Sequence, residues 1–238
     1  MATGWQNRVQ VRSFDQAAID AGLRQYMLSI YNYMAVGLAI TGVVAFALAQ
    51  SPSAMQAIFG SPLRWVVMLA PLGFVFFFSA RIHAMSASTA QLVFWLFAGA
   101  MGLSLASIFI VYTGTSIARV FFITAATFGA TSLYGYTTKT DLSKMGAFLF
   151  MGLIGILIAG LVNIFIGSSA LQFAISVIGV IVFTGFTAYD TQQLKEMYAE
   201  SYDRDTLGRI AIQGALQLYL DFLNVFLFLL RLLGQTRD

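Results

Sequence analysis

The 238-residue chain has no cysteine and one histidine. Without thiols there is no disulfide framework, no thiolate metal site and no cysteine nucleophile, and a lone His83 excludes zinc sites of the His-rich kind. Charge is scarce as well. Asp, Glu, Lys and Arg make up 10% of the residues, against about 25% in soluble domains. The 13 basic and 10 acidic side chains are scattered, so the pI of 9.3 does not describe a nucleic-acid binder. Apolar residues fill the chain instead, at 59%, with a mean hydropathy of +0.80. Disordered chains have the opposite balance, and a soluble domain cannot hide that much apolar surface from water. What remains is an all-α polytopic membrane protein.

The charge-free runs Gln25 to Leu63, Ile82 to Ala118, Val120 to Thr138 and Met145 to Tyr189 carry the spans. A helix needs about 20 apolar residues to cross the hydrocarbon core. The pattern predicts seven helices, near 29–49, 63–80, 89–112, 117–137, 145–166, 170–190 and 210–233. The polar runs Gln50-Ser51-Pro52-Ser53, Thr113-Gly114-Thr115-Ser116 and Gly167-Ser168-Ser169 read as loops. The connections leave no room for a soluble domain.

Orientation follows from the flanking Lys and Arg. With the N-terminus inside, the cytoplasmic flanks hold Arg8, Arg12, Arg24, Arg81, Lys139, Lys144, Lys195, Arg204 and Arg209; the outer flanks hold Arg64, Arg119, Arg231 and Arg237. That nine-to-four distribution predicts a cytoplasmic N-terminus. Arg231 and Arg237 pull against an outward C-terminus, and a re-entrant last segment is the alternative. Tyr31, Tyr33, Tyr134, Tyr136 and Tyr189 fall at the predicted inner ends, Trp65 and Tyr112 at the outer ends, as interfacial aromatic belts do. Residues 1–27 have no signal-peptide pattern and read as a cytoplasmic tail, a helix lying in the interface being one form of it. The organisation is then a tail at 1–27, a seven-helix domain at 28–234 and a C-terminal tail at 235–238.

Charge inside a bilayer costs from about 2.5 to over 10 kcal/mol and usually has a task. Two carboxylates stand out. Asp190 ends the sixth helix, in Thr187-Ala188-Tyr189-Asp190-Thr191-Gln192, and Asp221 lies within the seventh, in Leu218-Tyr219-Leu220-Asp221-Phe222-Leu223-Asn224. Asp190 also fits a loop carboxylate beside Lys195, and Asp221 a structural hydrogen bond to a neighbouring helix. Gln213, Gln217, Asp221 and Asn224 share one face of the seventh helix. A polar stripe on a greasy helix should point into a bundle or a wet cavity, which places this helix at the centre. Milder stripes at Thr124, Thr127, Thr131, Tyr134 and Thr138, and at Gly152, Gly155, Ala159 and Asn163, read as helix packing. Arg81 reads as a topology anchor on the same side as Asp190, with an ion pair as the alternative. His83 reads as interfacial, and Glu196, Glu200, Asp203, Arg204 and Asp205 as a solvated loop.

The stretches around Asp190 and Asp221 resemble the Bax inhibitor-1 (TMBIM) family. Tyr134-Gly135-Tyr136-Thr137-Thr138-Lys139-Thr140-Asp141-Leu142-Ser143 and Phe148-Leu149-Phe150-Met151-Gly152-Leu153-Ile154-Gly155 are similar to its bacterial YccA-type branch. The resemblance covers nearly the whole chain after the tail. It implies a last helix at the centre with six others wrapped round it in two layers, in a bacterial inner membrane. It also implies a di-aspartyl pH sensor gating a calcium leak, with Asp190 and Asp221 as the sensor and Arg81 as the arginine that binds the pair when the path changes state. Relatives with that arginine can carry a glutamate eleven residues before it, where this chain has Ala70 followed by Pro71. YccA-type members also resemble modulators of the membrane protease FtsH, a different task for the same fold.

Chemistry gives the same pair a role. Two carboxylates in a low-dielectric site cannot easily both ionise, so they share a proton. Once it leaves, the charges must separate, recruit Arg81 or bind a cation. Ca²⁺ takes six to eight oxygen ligands. Asp190 and Asp221, with Gln213, Gln217 and Asn224 along a possible ion path, hold it weakly, which suits an ion that must leave. No other cofactor is indicated; the expected partners are the bilayer, calcium, protons and, in the alternative, FtsH. An intramembrane aspartyl protease needs a Gly-x-Gly-Asp turn, but Leu218-Tyr219-Leu220 precede Asp221, so an enzyme is not expected. A proton-coupled transporter lacks the matching broken helices.

Overall fold

The computed structural model describes residues 3–237, with side chains from Ile19 onwards. The helices are α1 (Thr3–Ala49), α2 (Pro52–Phe59), α3 (Leu63–Arg81), α4 (Ala87–Leu105), α5 (Ile108–Val111), α6 (Gly114–Thr137), α7 (Ser143–Ile166), α8 (Ser169–Glu196) and α9 (Arg204–Leu233). Among the described residues, seven helical segments are long and apolar enough to cross a bilayer, α4 and α5 acting as one. Helix starts follow side-chain chemistry. Ser51, Ser86, Thr113, Ser168 and Asp203 are N-caps, each accepting from the amide three residues on. Gly167, at φ 66°, closes α7 in the left-handed region and donates to Asn163 O at 2.8 Å.

Several expected boundaries shift. α1 is helical from Thr3, not from near residue 29, with its apolar span at Ile19–Ala49. The side chains of the tail at 1–18 lie outside the described residues, as does Asp238. The loop expected at Gln50–Ser53 instead starts α2, because Ser51 caps it and Pro52 supplies a preset first turn. The helix expected at 89–112 breaks after Leu105. α8 runs on to Glu196 rather than ending at 190, since its polar last turn is tied to the α6–α7 connection. Gln192 Nε2 donates to Thr140 O at 2.9 Å and Leu142 N to Gln192 Oε1 at 2.8 Å, and Lys195 Nζ donates to Tyr136 O at 3.0 Å.

α9 is the axis. It packs against α1, α4, α6 and α8, while α3 packs on α4 and α7 on α8 as an outer layer. Of the most apolar stretch of α9, 61% is buried, against 11% in α7. Buried hydrophobic side chains of α9 such as Leu218, Tyr219, Phe222 and Phe226 form the core with Ile30, Phe94, Phe97 and Phe128. Tyr219 OH pairs with Thr41 Oγ1 at 2.6 Å, so even this buried hydroxyl is satisfied.

The last residues fold back on the α5–α6 turn. Thr113 N donates to Gln235 O at 3.0 Å, Arg237 N to Val111 O at 2.9 Å and Gln235 N to Ser116 Oγ at 2.9 Å. α9 is thus a full crossing that ends at the level of the α5–α6 turn, which corrects the re-entrant alternative. The acidic loop is more than a solvated run. Asp203 accepts from Thr206 N and Thr206 Oγ1, and Asp205 accepts from Ala87 N at 2.9 Å and pairs with Arg209 at 3.5 Å, tying the starts of α4 and α9 together. Those two hydrogen bonds hold the Asp203 carboxyl below the usual carboxylate range.

Candidate functional site

Asp190 is two turns from the end of a long helix rather than in a loop, because α8 continues through Thr191 and Gln192. The close approach of α6 sets its depth. At Gly135 a Cβ would strike the Ala188 backbone, so only glycine lets α6 lie this close to α8 just before Asp190. At Gly214 a Cβ would press on the end of the Leu194 side chain rather than on backbone, where α9 passes α8. With α8 and α9 packed along each other, Asp190 and Asp221 meet inside the protein, 4% and 5% exposed. Their carboxyls are neighbours that interact with each other, and Gln217 lies beside Asp190. No N–H or O–H of the described residues reaches the buried Asp221 Oδ2. A hydrogen bond between two carboxyls needs a proton on one of them, since carboxylates only accept.

The four-residue stripe on α9 divides. Gln217 and Asp221 join the site, Gln213 is exposed, and the half-buried Asn224 turns back to donate to Leu220 O at 2.8 Å. Arg81 is exposed at the end of α3, and the ion pair among the described residues is Arg209–Asp205, so neither Asp190 nor Asp221 meets a cation in this state. Ala70 is half-buried in the middle of α3, beside the buried Pro71. Among the described residues, no third His, Cys, Asp or Glu gathers with another two into a metal-binding cluster.

A second polar chain passes through Thr191, the residue after Asp190 on α8. Thr191 Oγ1 donates to Thr187 O at 2.7 Å; Ser132 Oγ lies 3.0 Å from Thr191 Oγ1, and Tyr31 OH lies 2.6 Å from Ser132 Oγ. Because Thr191 spends its proton on Thr187, Ser132 donates to Thr191 and Tyr31 to Ser132. This run ties α1, α6 and α8 together next to Asp190. Its signal was the four-residue period Ser116, Val120, Thr124, Phe128, Ser132, the buried face of α6. Of the expected stripe, Thr124 belongs to this face, whereas Thr127 and Thr131 lie off it and return their hydroxyls to Ile123 O and Thr127 O.

Fold and site together define a polytopic α-helical membrane protein whose central helix carries half of a buried carboxyl pair. The chain belongs to the family described as Inhibitor of apoptosis-promoting Bax1, which matches residues 23–238. It is 50% identical over 220 residues to the inner membrane protein YbhL of Escherichia coli, covering 91% of this chain and 94% of that one. It is 48% identical over 219 residues to an uncharacterised protein of Rickettsia prowazekii, covering 92% and 93%. An uncharacterised protein of Caulobacter vibrioides is 42% identical over 246 residues, 98% of each chain.

Proposed function

We propose that this protein is a pH-sensitive calcium leak of the bacterial inner membrane, with its N-terminus cytoplasmic, gated by Asp190 and Asp221. The observation that carries the reading is a carboxyl pair buried in the bundle with no cation beside it. At low pH a shared proton holds α8 and α9 together at the pair. As pH rises the proton leaves, and two adjacent negative charges drive the contact apart. Arg81, at the end of α3, then becomes the partner that holds a freed carboxylate. Gln217 and Asn224 line the path, and Gln213 stands at its exposed end. Calcium is held weakly by Asp190 and Asp221, which suits passage. The activity is not catalytic. Ala70, where a glutamate stands in some relatives, predicts a slow leak.

The test is flux of Ca²⁺, Na⁺ and K⁺ into liposomes holding the purified protein, over about pH 6 to 8. Calcium flux that grows with pH is expected; absence of flux at every pH overturns the leak. The alternative is a modulator of FtsH without ion transport, favoured by the resemblance of the α6–α7 stretch to the YccA-type branch. Co-purification with FtsH, together with a changed rate of proteolysis, is its signature.

A further inference from the structure

A groove of about 1450 Å³ runs between α1 and α6, with Phe222 of α9 in its wall. α1 and α6 do not pack extensively on each other; the hydrogen bond from Tyr31 to Ser132 spans the gap between them at 2.6 Å. On α1 the groove extends from Arg24 to Phe46, about 33 Å by helix rise, roughly the thickness of the hydrocarbon core. Its walls are apolar, with Leu38 and Val43 facing Phe121 and Phe122. Gly42 and Gly129 also line it, and a Cβ built on either meets nothing within 4 Å. Small residues on neighbouring membrane helices ordinarily let the backbones touch. Here they leave a slot.

A slot at this depth does not stay empty. Water finds no hydrogen-bond partners on such walls, and a void forfeits dispersion contacts along its whole length. The bilayer beside it supplies acyl chains. At one end the lining turns polar, with Arg24, Tyr31, Ser132 and Tyr136. Arg24 is exposed there. A cation, Arg24, at the mouth of an apolar slot matches a phosphate joined to a hydrocarbon chain.

We propose that this groove binds an anionic phospholipid, its acyl chain between α1 and α6 and its phosphate at Arg24. This goes beyond the leak and does not depend on it. The test is native mass spectrometry of the purified protein incubated with dioleoyl phosphatidylglycerol or dioleoyl phosphatidylcholine. The parent should retain phosphatidylglycerol about five-fold better, the worth of one cation near an anionic headgroup, and Arg24→Gln should abolish that preference. Gly42→Leu and Gly129→Leu should reduce retention of both lipids. Leucine favours helix over glycine and meets open space at both positions, so folding is preserved. Gly155→Leu on the outer face of α7, where a Cβ also meets nothing, should retain lipid as the parent does. Equal retention of the two lipids by the parent overturns the headgroup contact. Full retention in both groove variants, or the same loss in Gly155→Leu, overturns the groove.

Discussion

Replacing Asp221 by asparagine keeps the shape of the buried pair and removes its titration. The Asn amide can still donate to Asp190, so the closed contact survives without a shared proton. In the parent, two ionised carboxyls about 4 Å apart repel by about 4 kcal/mol at an effective dielectric constant of about 20. No cation offsets this, because the ion pair among the described residues is Arg209–Asp205. Such repulsion shifts a closed-to-open equilibrium about a thousand-fold. The closed state holds one proton more than the open one, so the open fraction rises with pH, by at most about ten-fold per unit. Asp221→Asn exchanges no proton at this step, and its calcium flux should be low and flat within about two-fold from pH 6 to 8. Asp190→Asn should match it, and the double variant should be no flatter than either, because the pair acts as a unit. The assay is calcium uptake into liposomes at matched protein density. The parent's pH profile persisting in both single variants, or additive losses in the double variant, would refute the reasoning.

Gly135→Val should drive α6 and α8 apart at Ala188 and cost about 1–3 kcal/mol as overpacking, read as a lower melting temperature; an unchanged melt would contradict the close approach. Asp203, held below the usual carboxylate range by Thr206, stabilises the start of α9 above its unfolded pKa and loses that as pH falls through its lower folded pKa. Hydrogen exchange at the Thr206 amide should therefore lose protection in acid, and Asp203→Asn should show no such step. Reporter fusions at Gln50, Gly167 and Gln235 should all read outside and one at Thr140 inside; a cytoplasmic signal at any of the first three breaks the topology. Ser132→Ala removes the link between Tyr31 and Thr191 and should alter the pH midpoint of flux while costing about 1–3 kcal/mol in the melt, the worth of two net hydrogen bonds.

The spans were legible because charge-free runs of bilayer length have one cheap solution, a helix across the membrane. The central position of α9 was legible from Gln217 and Asp221, whose polarity lipid would punish. Local chemistry hid the rest. Gln213 continued the stripe in register but is exposed, ten residues into α9, and Asn224 found its partner in its own backbone. α2 was missed because its eight residues begin with Pro52 after the cap Ser51, a pair that suits a loop as well as a capped helix. The extension of α8 to Glu196 rests on Gln192 and Lys195 reaching residues 50 or more positions away in sequence, which no periodicity reports. Ser132 was overlooked because its neighbour Thr131 matched a more obvious pattern one position off the buried face.

The central claim is a proton shared by Asp190 and Asp221, and infrared difference spectroscopy of the protein in lipid counts it most directly. Between about pH 6 and 8 the parent should lose the stretch of one protonated carboxyl per chain, and the double variant Asp190→Asn/Asp221→Asn should show no such loss. A parent spectrum without that loss, or the same loss in the double variant, would contradict the account.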